Sequence, residues 1–453
     1  MRMLGKILKW GLVVLVAVVV AAAGWLFVAP PDLIRVATAY SAKMVCSNTF
    51  LAGRDPQSVL AIDVQAPGHP ILEYVTVNVD DASGTVSASL LGLFGESRAV
   101  RRPGAGCSSL PSGQLAPMAA VTAGPAPDMT NIWPEGDAVE PISSERIAAI
   151  LDDPAMTGAG MRAVVVVYDG RIVAERYGEG FSAQTPFLGW SMTKTVTAAI
   201  IGTLVADGRM SVEQDELFEE WTGDERAAIT VADLMAMSSG LEFNEDYGDV
   251  TDVTRMLYLQ PDMASFASEK PLVGPIGETF NYSSGTTVLL SRIWQDAFDD
   301  PAAALAWPRE ALFNQLGMTS AVLEADARGT YVGSSYLYAT ARDWARFGEF
   351  LRLDGIWGGN RILPEGYVGW MREEASASSG AYGRGQLWLK GPGDQDNASQ
   401  SVPEDTFWLR GHDGQTIAVV PSSKLVVVRL GLTPSKLAYR PQPMIAALSV
   451  ALR

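Results

Sequence analysis

The pattern of hydrophobic and polar positions divides the chain into four regions, and the first of them is an uninterrupted apolar stretch. Residues Trp10–Ala29 carry no charge, and three basic residues, Arg2, Lys6 and Lys9, precede them. A helix of about 20 apolar residues is long enough to cross a bilayer. Basic residues on the leading side favour a cytoplasmic N-terminus and export of the remainder. The pattern therefore predicts a membrane anchor over residues 1–31.

A cleaved signal peptide is the alternative interpretation of this stretch. Ala21, Ala22 and Ala23 offer the small residues of a cleavage site. The apolar run nevertheless continues through Val28, whereas the apolar core of a signal peptide is usually about 7–15 residues long. The length of the run favours an anchor that is not removed.

Alternation of apolar and polar residues marks the second region, residues 32–107. Val75–Val79 and Thr85–Leu90 alternate with a period of two, which is the pattern of a strand with one buried face. These strands predict a small β-rich module. The third region, residues 108–137, holds five prolines among alanine, serine and glycine. Because such a composition cannot build a core, it predicts a linker.

The fourth region, residues 138–453, mixes helical and strand periods. Two apolar runs flank a hairpin turn at Asp169-Gly170-Arg171, and Ser191–Leu204 carries apolar side chains at helical spacing. The pattern near the C-terminus predicts three strands and a closing helix, over residues 406–410, 416–420, 425–430 and 442–452. Strands at both ends of a largely helical region imply one antiparallel sheet. The predicted fold class is α+β, an antiparallel sheet flanked by helices with a helical subdomain.

Composition narrows the classes of function. The chain has 453 residues, of which 48% are hydrophobic and 19% charged, as is typical of a folded protein. Its net charge of -17 argues against a nucleic-acid partner, because binding a polyanion needs a basic surface. The only histidines are His69 and His412, and no Cys/His cluster has the spacing of a metal site. We therefore expect no metal, no cofactor and no nucleic acid.

The only two cysteines, Cys46 and Cys107, both follow the apolar stretch. In an oxidising compartment outside the membrane they could pair. The pair would close a loop of about 60 residues and stabilise the fold by up to about 4 kcal/mol in the chain-entropy model. Two unrelated buried thiols are the alternative.

Ser191-Met192-Thr193-Lys194, at the head of a predicted helix, is the first candidate for chemistry. A serine hydroxyl needs a base within hydrogen-bond reach, and residues three apart on a helix share a face. Among the lysines of the chain, only Lys194 has a serine three positions before it. One helical turn could therefore hold both nucleophile and base.

Two later motifs add candidate groups. Asn281-Tyr282-Ser283-Ser284 offers a phenol, and a phenol beside an ammonium group can act as a base. Gly411-His412-Asp413-Gly414 precedes a predicted strand, and its glycines let the backbone approach a ligand closely with N–H groups that can hold an oxyanion.

In this order, Ser-x-x-Lys, Tyr-x-Ser and His-x-Gly resemble the motifs of the serine β-lactamase and penicillin-binding protein superfamily. The resemblance is to the class C-like branch, which includes esterases, D-amino-acid amidases and 6-aminohexanoate-dimer hydrolases. It covers about residues 138–453 and excludes the N-terminal regions. Further similarity lies in Leu234–Leu241, Tyr338–Phe347 and Gly359–Pro364.

The resemblance implies a role for each motif residue. Ser191 would be the nucleophile that becomes acylated, and either Lys194 or Tyr282 would be its base. The backbone N–H groups of Ser191 and Gln415 would form the oxyanion hole, while His412 would orient Tyr282 and the substrate. A helix N-terminus at Ser191 would also favour developing negative charge.

Departures from the β-lactamase pattern narrow the expected substrate. Ser284 stands where those enzymes have asparagine, and His412 and Asp413 replace the lysine and threonine of their third motif. The pocket for a β-lactam carboxylate is therefore weakened. We expect Ser284, Asp413 and Gly414 to contact a small amide or ester.

The leading hypothesis is a membrane-anchored serine hydrolase, single-pass in a bacterial inner membrane, with its catalytic domain in the periplasm or outside. A penicillin-binding-like D-amino-acid peptidase, a β-lactamase and a non-catalytic envelope binding protein of the same fold are alternatives. An α/β-hydrolase using Ser191 and His412 is another, but the sequence Gly189-Trp190-Ser191-Met192-Thr193 lacks the second glycine of a nucleophile elbow.

Overall fold

The structure is a computed structural model that describes residues 2–121 and 130–452. Residues 122–129, in the middle of the predicted linker, lie outside the described residues. The chain divides into two compact units. The small unit comprises Met1–Arg101, Cys107–Gln114 and Asp246–Pro261, and the large unit comprises Arg102–Gly106, Leu115–Glu245 and Asp262–Arg453.

The helices and strands are numbered separately, each in chain order. The helices are α1 Arg2–Val28, α2 Asp32–Phe50, α3 Pro56–Val59, α4 Glu145–Asp152, α5 Pro154–Thr157, α6 Met192–Ala206, α7 Val231–Met235, α8 Asp252–Leu259, α9 Met263–Ser268, α10 Ser284–Asp296, α11 Pro301–Trp307, α12 Asn314–Leu316, α13 Ala341–Arg352, α14 Tyr367–Met371 and α15 Gln442–Ala451. The strands are β1 Val75–Asp80, β2 Thr85–Leu90, β3 Phe94–Arg101, β4 Cys107–Ser109, β5 Met161–Tyr168, β6 Arg171–Tyr177, β7 Pro186–Leu188, β8 Val322–Leu323, β9 Leu337–Thr340, β10 Ile356–Trp357, β11 Asn360–Arg361, β12 Phe407–Arg410, β13 Thr416–Val420 and β14 Leu425–Gly431.

The predicted apolar helix is α1. Its segment Lys6–Val28 is long and apolar enough to cross a membrane, and none of its most apolar window is buried within the protein. Pro30 and Pro31 follow one residue after the end of the helix, and proline without a backbone N–H cannot continue the helical hydrogen bonds. The next helix, α2, begins at Asp32.

In the small unit, α2 packs on an antiparallel sheet of order β1-β2-β3-β4. The two strands that the alternation predicts are β1 and β2, with Val77 opposite Ala88. The helix α2 was not predicted. Twelve of its residues are buried, because it packs on both the sheet and α8, and burial on several sides removes the one-sided apolar stripe by which a helix is recognised.

Long-range contacts complete the small unit. A disulfide joins Cys46 of α2 to Cys107 of β4, with 6.1 Å between the Cα atoms. The helix α8 comes from the middle of the sequence, and its Tyr258 ring lies 5.5 Å from the ring of Tyr40. The hydrophobic pattern gave no sign that residues of the fourth region would belong to this unit.

In the large unit, strands from both ends of the fourth region form one antiparallel sheet of order β12-β13-β14-β5-β6. The ends meet where β14 pairs with β5, with Val427 opposite Val166. This arrangement confirms the predicted α+β fold. A second sheet of order β7-β9-β8 carries the strand that leads to Ser191.

Helices cover both faces of the five-stranded sheet. Leu425 and Val427 pack in a core with residues of α4 and α15, while α13 lies against the opposite face. Gly348 of α13 allows this approach, because a Cβ atom there would lie 2.6 Å from Cγ1 of Val426. The β14 strand is buried along its whole length. Its sequence is apolar except for Arg429, whose guanidinium donates to the carbonyl oxygens of Thr157 and Gly414.

The end of the predicted linker is part of the large unit. Trp133 is fully buried, and its indole Nε1 donates a hydrogen bond to the carbonyl oxygen of Arg342 over 3.3 Å. Arg171 donates to the carbonyl oxygen of Trp133, and Arg346 donates to that of Pro134. A buried aromatic residue and these arginines therefore fix a segment that composition alone predicts to be a linker.

Candidate active site

The turn before α6 sets the position of Ser191. Trp190 has a φ of 49°, in the left-handed region that costs a non-glycine residue roughly 1–2 kcal/mol. Packing holds it there, since only 7% of its surface is exposed and its ring lies 6.4 Å from that of Tyr336. The chain then enters α6 with Ser191 as its N-cap. A strained residue next to a candidate nucleophile is common at functional sites.

Lys194 lies one turn into α6, with only 1% of its surface exposed. Its ammonium nitrogen Nζ donates to Ser191 Oγ over 3.1 Å, to Ser284 Oγ over 3.0 Å and to the carbonyl oxygen of Ser334 over 3.1 Å. An ammonium group has three donors and no acceptor. Each of its three N–H groups therefore has an oxygen partner, and the nitrogen is fixed beside Ser191.

Glu245 extends this network and was missed in the sequence. Ser284 is fully buried, and its hydroxyl donates to Glu245 Oε1 over 2.5 Å. Its backbone N–H donates to Glu245 Oε2 over 2.7 Å. A chain of hydrogen bonds thus runs from Lys194 through Ser284 to a carboxylate. An acidic residue in a loop usually faces solvent, so the sequence Asn244-Glu245-Asp246 gave no usable signal.

Tyr282 lies beside Lys194. The Lys194 Nζ atom is 4.8 Å from the centroid of the Tyr282 ring. The segment before the tyrosine is held by Asn281, whose Nδ2 donates to the carbonyl oxygens of Leu241 and Phe243 over 3.2 Å each. Both predicted base candidates therefore lie within one group of side chains.

Aromatic residues from the segment after α14 surround Tyr282. The ring of Trp388 lies 5.2 Å from that of Tyr282, and the ring of Tyr382 lies 5.9 Å from it. Tyr382 is buried, and burial raises its pKa well above the ordinary value. Tyr382 therefore stays neutral and presents an uncharged ring beside Tyr282.

The third motif joins β12 to β13 next to the turn before α6. A Cβ atom on Gly411 would lie 2.3 Å from the carbonyl oxygen of Gly189, so only glycine allows this approach. The ring of His412 lies 5.5 Å from that of Trp190, and 44% of the His412 side chain is exposed. The structure thus brings the third motif beside the residues that precede Ser191.

The remaining residues of this motif build its turn. Asp413 has a φ of 56°, and its carbonyl oxygen accepts from the backbone N–H of Thr433 over 2.8 Å. The carbonyl oxygen of Gly414 accepts from Arg429 Nη1 over 3.0 Å. Gln415 is buried, and its Oε1 accepts from the backbone N–H of Gly431 over 2.9 Å. These bonds fix the backbone at the start of β13.

Within residues 2–121 and 130–452, no group of three histidine, cysteine, aspartate or glutamate residues could hold a metal ion. The polar groups around Ser191 are instead an amine, a hydroxyl, a phenol and a carboxylate. This set is suited to proton transfer and nucleophilic attack.

Known proteins share the family and the fold of this chain. The Beta-lactamase family matches residues 146–442. A 6-aminohexanoate-dimer hydrolase of Paenarthrobacter ureafaciens is 25% identical over 301 residues, which are 60% of this chain and 72% of that protein. The chain also has the fold of a penicillin-binding protein from Bacillus halodurans, with a TM-score of 0.52, 17% identity, and coverage of 68% of this chain and 100% of that one.

A structure from Bacillus anthracis, assigned provisionally as a 6-aminohexanoate-dimer hydrolase, has a TM-score of 0.54 at 22% identity, covering 84% of this chain and 91% of that one. The residues that the Beta-lactamase family matches, 146–442, include Ser191, Lys194, Tyr282 and His412. The chain therefore belongs to the β-lactamase family and is a serine hydrolase of amide or ester bonds related to the β-lactamases and penicillin-binding proteins.

Proposed function

We propose that this protein is a membrane-anchored serine hydrolase, of the class C-like branch, that forms an acyl-enzyme at Ser191 with small amides or esters outside the cytoplasmic membrane. The observation that carries the proposal is the contact between Lys194 Nζ and Ser191 Oγ, 3.1 Å long and formed by a lysine that is almost fully buried. A serine becomes a useful nucleophile when a base lies at this distance.

The partners of Lys194 support its role as the base. The carbonyl oxygen of Ser334 can only accept, and the Ser284 proton is already donated to Glu245. A neutral amine has two N–H groups and one lone pair. In the neutral form that acts as the base, Lys194 keeps its two N–H groups on Ser334 and Ser284. Its lone pair then accepts from the Ser191 hydroxyl, in place of the donation to Ser191 Oγ that the ammonium form makes.

In the proposed reaction, Lys194 takes the Ser191 proton as Oγ attacks the substrate carbonyl carbon. The C=O π electrons move to the oxygen, and the backbone N–H groups of Ser191 and Gln415 hold the resulting oxyanion. The leaving amine or alcohol departs with the proton, through Tyr282 or directly from Lys194. Water then attacks the acyl carbon and gives a proton to Lys194 or Tyr282. The bond between the acyl carbon and Ser191 Oγ breaks, Ser191 takes that proton back, and the acid is released. Tyr282 as the first base is the alternative.

We propose that Ser284 positions Lys194 and does not contact the substrate. Its hydroxyl is buried and bonded on one side to Lys194 and on the other to Glu245. The sequence suggested a substrate contact instead. His412, which is exposed and next to Trp190, and the backbone around Asp413 and Gly414 remain the proposed substrate contacts of the third motif.

The proposed substrate is a small amide or ester rather than a β-lactam. His412 and Asp413 replace the residues that hold the β-lactam carboxylate in related enzymes. The relative from Paenarthrobacter ureafaciens acts, by its name, on a linear amide dimer. A D-amino-acid peptidase, a β-lactamase and a non-catalytic binding protein remain the competing functions.

Membrane attachment and export are part of the proposal. The helix α1 is long and apolar enough to span a bilayer, and a disulfide links Cys46 to Cys107, as is common outside the cytoplasm. Protease treatment of spheroplasts tests this arrangement. We expect digestion of the large unit from outside without lysis, and protection before lysis would contradict it.

A substrate panel tests the proposed activity. Full-length protein in detergent is incubated with a p-nitrophenyl ester, a linear aminohexanoate amide, a D-alanyl-D-alanine peptide and a β-lactam. We expect turnover of the ester and the amide, with loss of activity in Ser191→Ala and Lys194→Ala. The matched control is Ser83→Ala, an exposed serine in the small unit, which should retain activity. Turnover that persists in Ser191→Ala would contradict the mechanism.

A further inference from the structure

The small unit has one hairpin whose tip is apolar and exposed. The turn between β2 and β3 consists of Leu91, Gly92 and Leu93, and the two leucines are 58% and 65% exposed. Tyr74, whose carbonyl oxygen accepts from the Leu91 N–H over 2.8 Å, is 57% exposed. Three large side chains with apolar surface therefore lie together at one end of the sheet.

The backbone of this turn adds a second observation. Leu91 and Gly92 have φ angles of 54° and 72°. Hairpin turns with two left-handed residues favour asparagine and glycine, because a residue such as leucine is strained there by roughly 1–2 kcal/mol. Here a leucine is both strained and exposed to water. Neither stability nor solubility accounts for leucine at this position.

The hairpin lies next to the end of the apolar helix. Gly95, at the start of β3, packs on the residues that follow α1, since a Cβ atom there would lie 3.4 Å from Cβ of Pro30 and 2.7 Å from Cγ2 of Ile34. The last residues of α1, Phe27 and Val28, are 70% and 83% exposed. The exposed apolar end of α1 and the exposed hairpin therefore belong to two segments that pack together at Gly95.

The length of α1 sets the level of the β2–β3 hairpin relative to a bilayer. Residues Trp10–Ala29 carry no charge, and 20 helical residues rise about 30 Å, the thickness of the hydrocarbon core. Pro30 would then lie at the outer interface, with the hairpin beside it. Tyrosine is common at membrane interfaces, and Tyr74 would lie at this level.

Polar groups lie behind the tip and at the opposite end of the sheet. Arg35, Glu96 and Arg98 line a cavity of about 330 Å³ together with Pro30 and Gly95. Arg35 pairs with Asp32 and Arg98 with Glu96, so the groups at the level of the lipid headgroups are charged and paired. The other hairpin, Asp81–Gly84, has a polar tip. It is separated from Leu91 by the length of β2, about 20 Å. The sheet is therefore apolar at one end only.

We propose that the β2–β3 hairpin inserts its leucines into the outer leaflet of the membrane and so fixes the tilt of the small unit on the bilayer. The bound partner is the lipid acyl chain region, and the insertion rests on the proposed membrane anchoring by α1. Two attachment points define an orientation that a single helix followed by a flexible segment would leave free.

The test uses the full-length protein in vesicles of phosphatidylethanolamine and phosphatidylglycerol. Because both native cysteines are in the disulfide, one introduced cysteine carries the label, an environment-sensitive NBD group. Leu93→Cys reports on the hairpin, Val20→Cys on the anchor, and Ala82→Cys, at the polar hairpin, is the matched control. Lipids with nitroxides on their acyl chains then quench labels that lie in the hydrocarbon.

We expect strong quenching at positions 93 and 20 and little at position 82. Quenching at 20 but not at 93 would overturn the insertion and leave the anchor intact. Loss of quenching at both positions would overturn the anchor as well. A label at 93 with a blue-shifted emission that nitroxide lipids do not quench would show that protein, such as a second copy of the chain, covers the hairpin, and would also overturn the proposal.

Discussion

Replacing Ser284 with alanine tests the network that holds Lys194. The substitution removes the hydroxyl that accepts from Lys194 Nζ over 3.0 Å and donates to Glu245 Oε1 over 2.5 Å. The backbone N–H that bonds Glu245 Oε2 remains. Lys194 then keeps two partners, Ser191 and the Ser334 carbonyl, and its nitrogen gains freedom to turn away from Ser191.

The substitution removes two hydrogen bonds. The expected loss in rate is worked from the bond to Lys194, which is charged in the transition state once Lys194 has taken the Ser191 proton. Such a bond contributes about 1.5–3 kcal/mol, and each 1.4 kcal/mol of barrier is about tenfold in rate. If Ser284→Ala loses this amount in the transition state, kcat/KM falls roughly 10- to 100-fold. The loss should be in kcat, because Ser284 does not contact the substrate in our proposal.

Steady-state ester hydrolysis and the rate of labelling by a fluorophosphonate measure the effect. Ser284→Thr keeps a hydroxyl and should retain more activity than alanine, whereas Glu245→Gln, which removes the charge but keeps an acceptor, should fall between them. Circular dichroism checks the fold of each variant. A folded Ser284→Ala protein with unchanged kcat would refute the positioning role, and a change confined to KM would point to substrate contact instead.

Three further predictions concern stability. Replacing Cys46 and Cys107 with serine opens a loop of 61 residues and should destabilise the small unit by up to about 4 kcal/mol; an unchanged melting temperature would contradict this. Gly348→Ala places a Cβ atom 2.6 Å from a β14 valine and should cost about 1–3 kcal/mol in denaturant unfolding, whereas the control Gly369→Ala, with no atom within 4 Å, should be neutral or slightly stabilising. Burial raises the pKa of Asp326 to about 6 from an ordinary value of 3.8. The folded state therefore binds this proton more tightly, so the stability that it contributes is present below pH 3.8 and is lost as the pH rises through 6. Relative to Asp326→Asn, the wild type should lose about 1–3 kcal/mol of unfolding free energy between these values, and parallel pH profiles of the two proteins would rule this out.

The sequence was most informative where a pattern is local. The apolar run of α1, the alternation of β1 and β2, and the Ser-x-x-Lys turn of α6 each depend on neighbouring residues, so they can be read without the fold. The α+β sheet could also be predicted, because both its halves have strong strand patterns at the ends of one region.

Features that depend on distant residues could not be predicted. The helix α2 is buried on several sides, so it lacks an amphipathic stripe. No local sequence pattern shows that α8 belongs to the small unit. Glu245 became a candidate only when the fold placed its carboxylate on Ser284. The φ of Trp190 likewise depends on packing against residues far away in sequence.

The central claim is that Ser191 is acylated with Lys194 as its activating partner. The most direct measurement is intact-mass and peptide mass spectrometry of the full-length protein after brief treatment with a fluorophosphonate. We predict one adduct per chain on the peptide that contains Ser191, no adduct in Ser191→Ala, and labelling at least tenfold slower in Lys194→Ala, which corresponds to about 1.4 kcal/mol. An adduct on another residue, or one that persists in Ser191→Ala, would contradict the account.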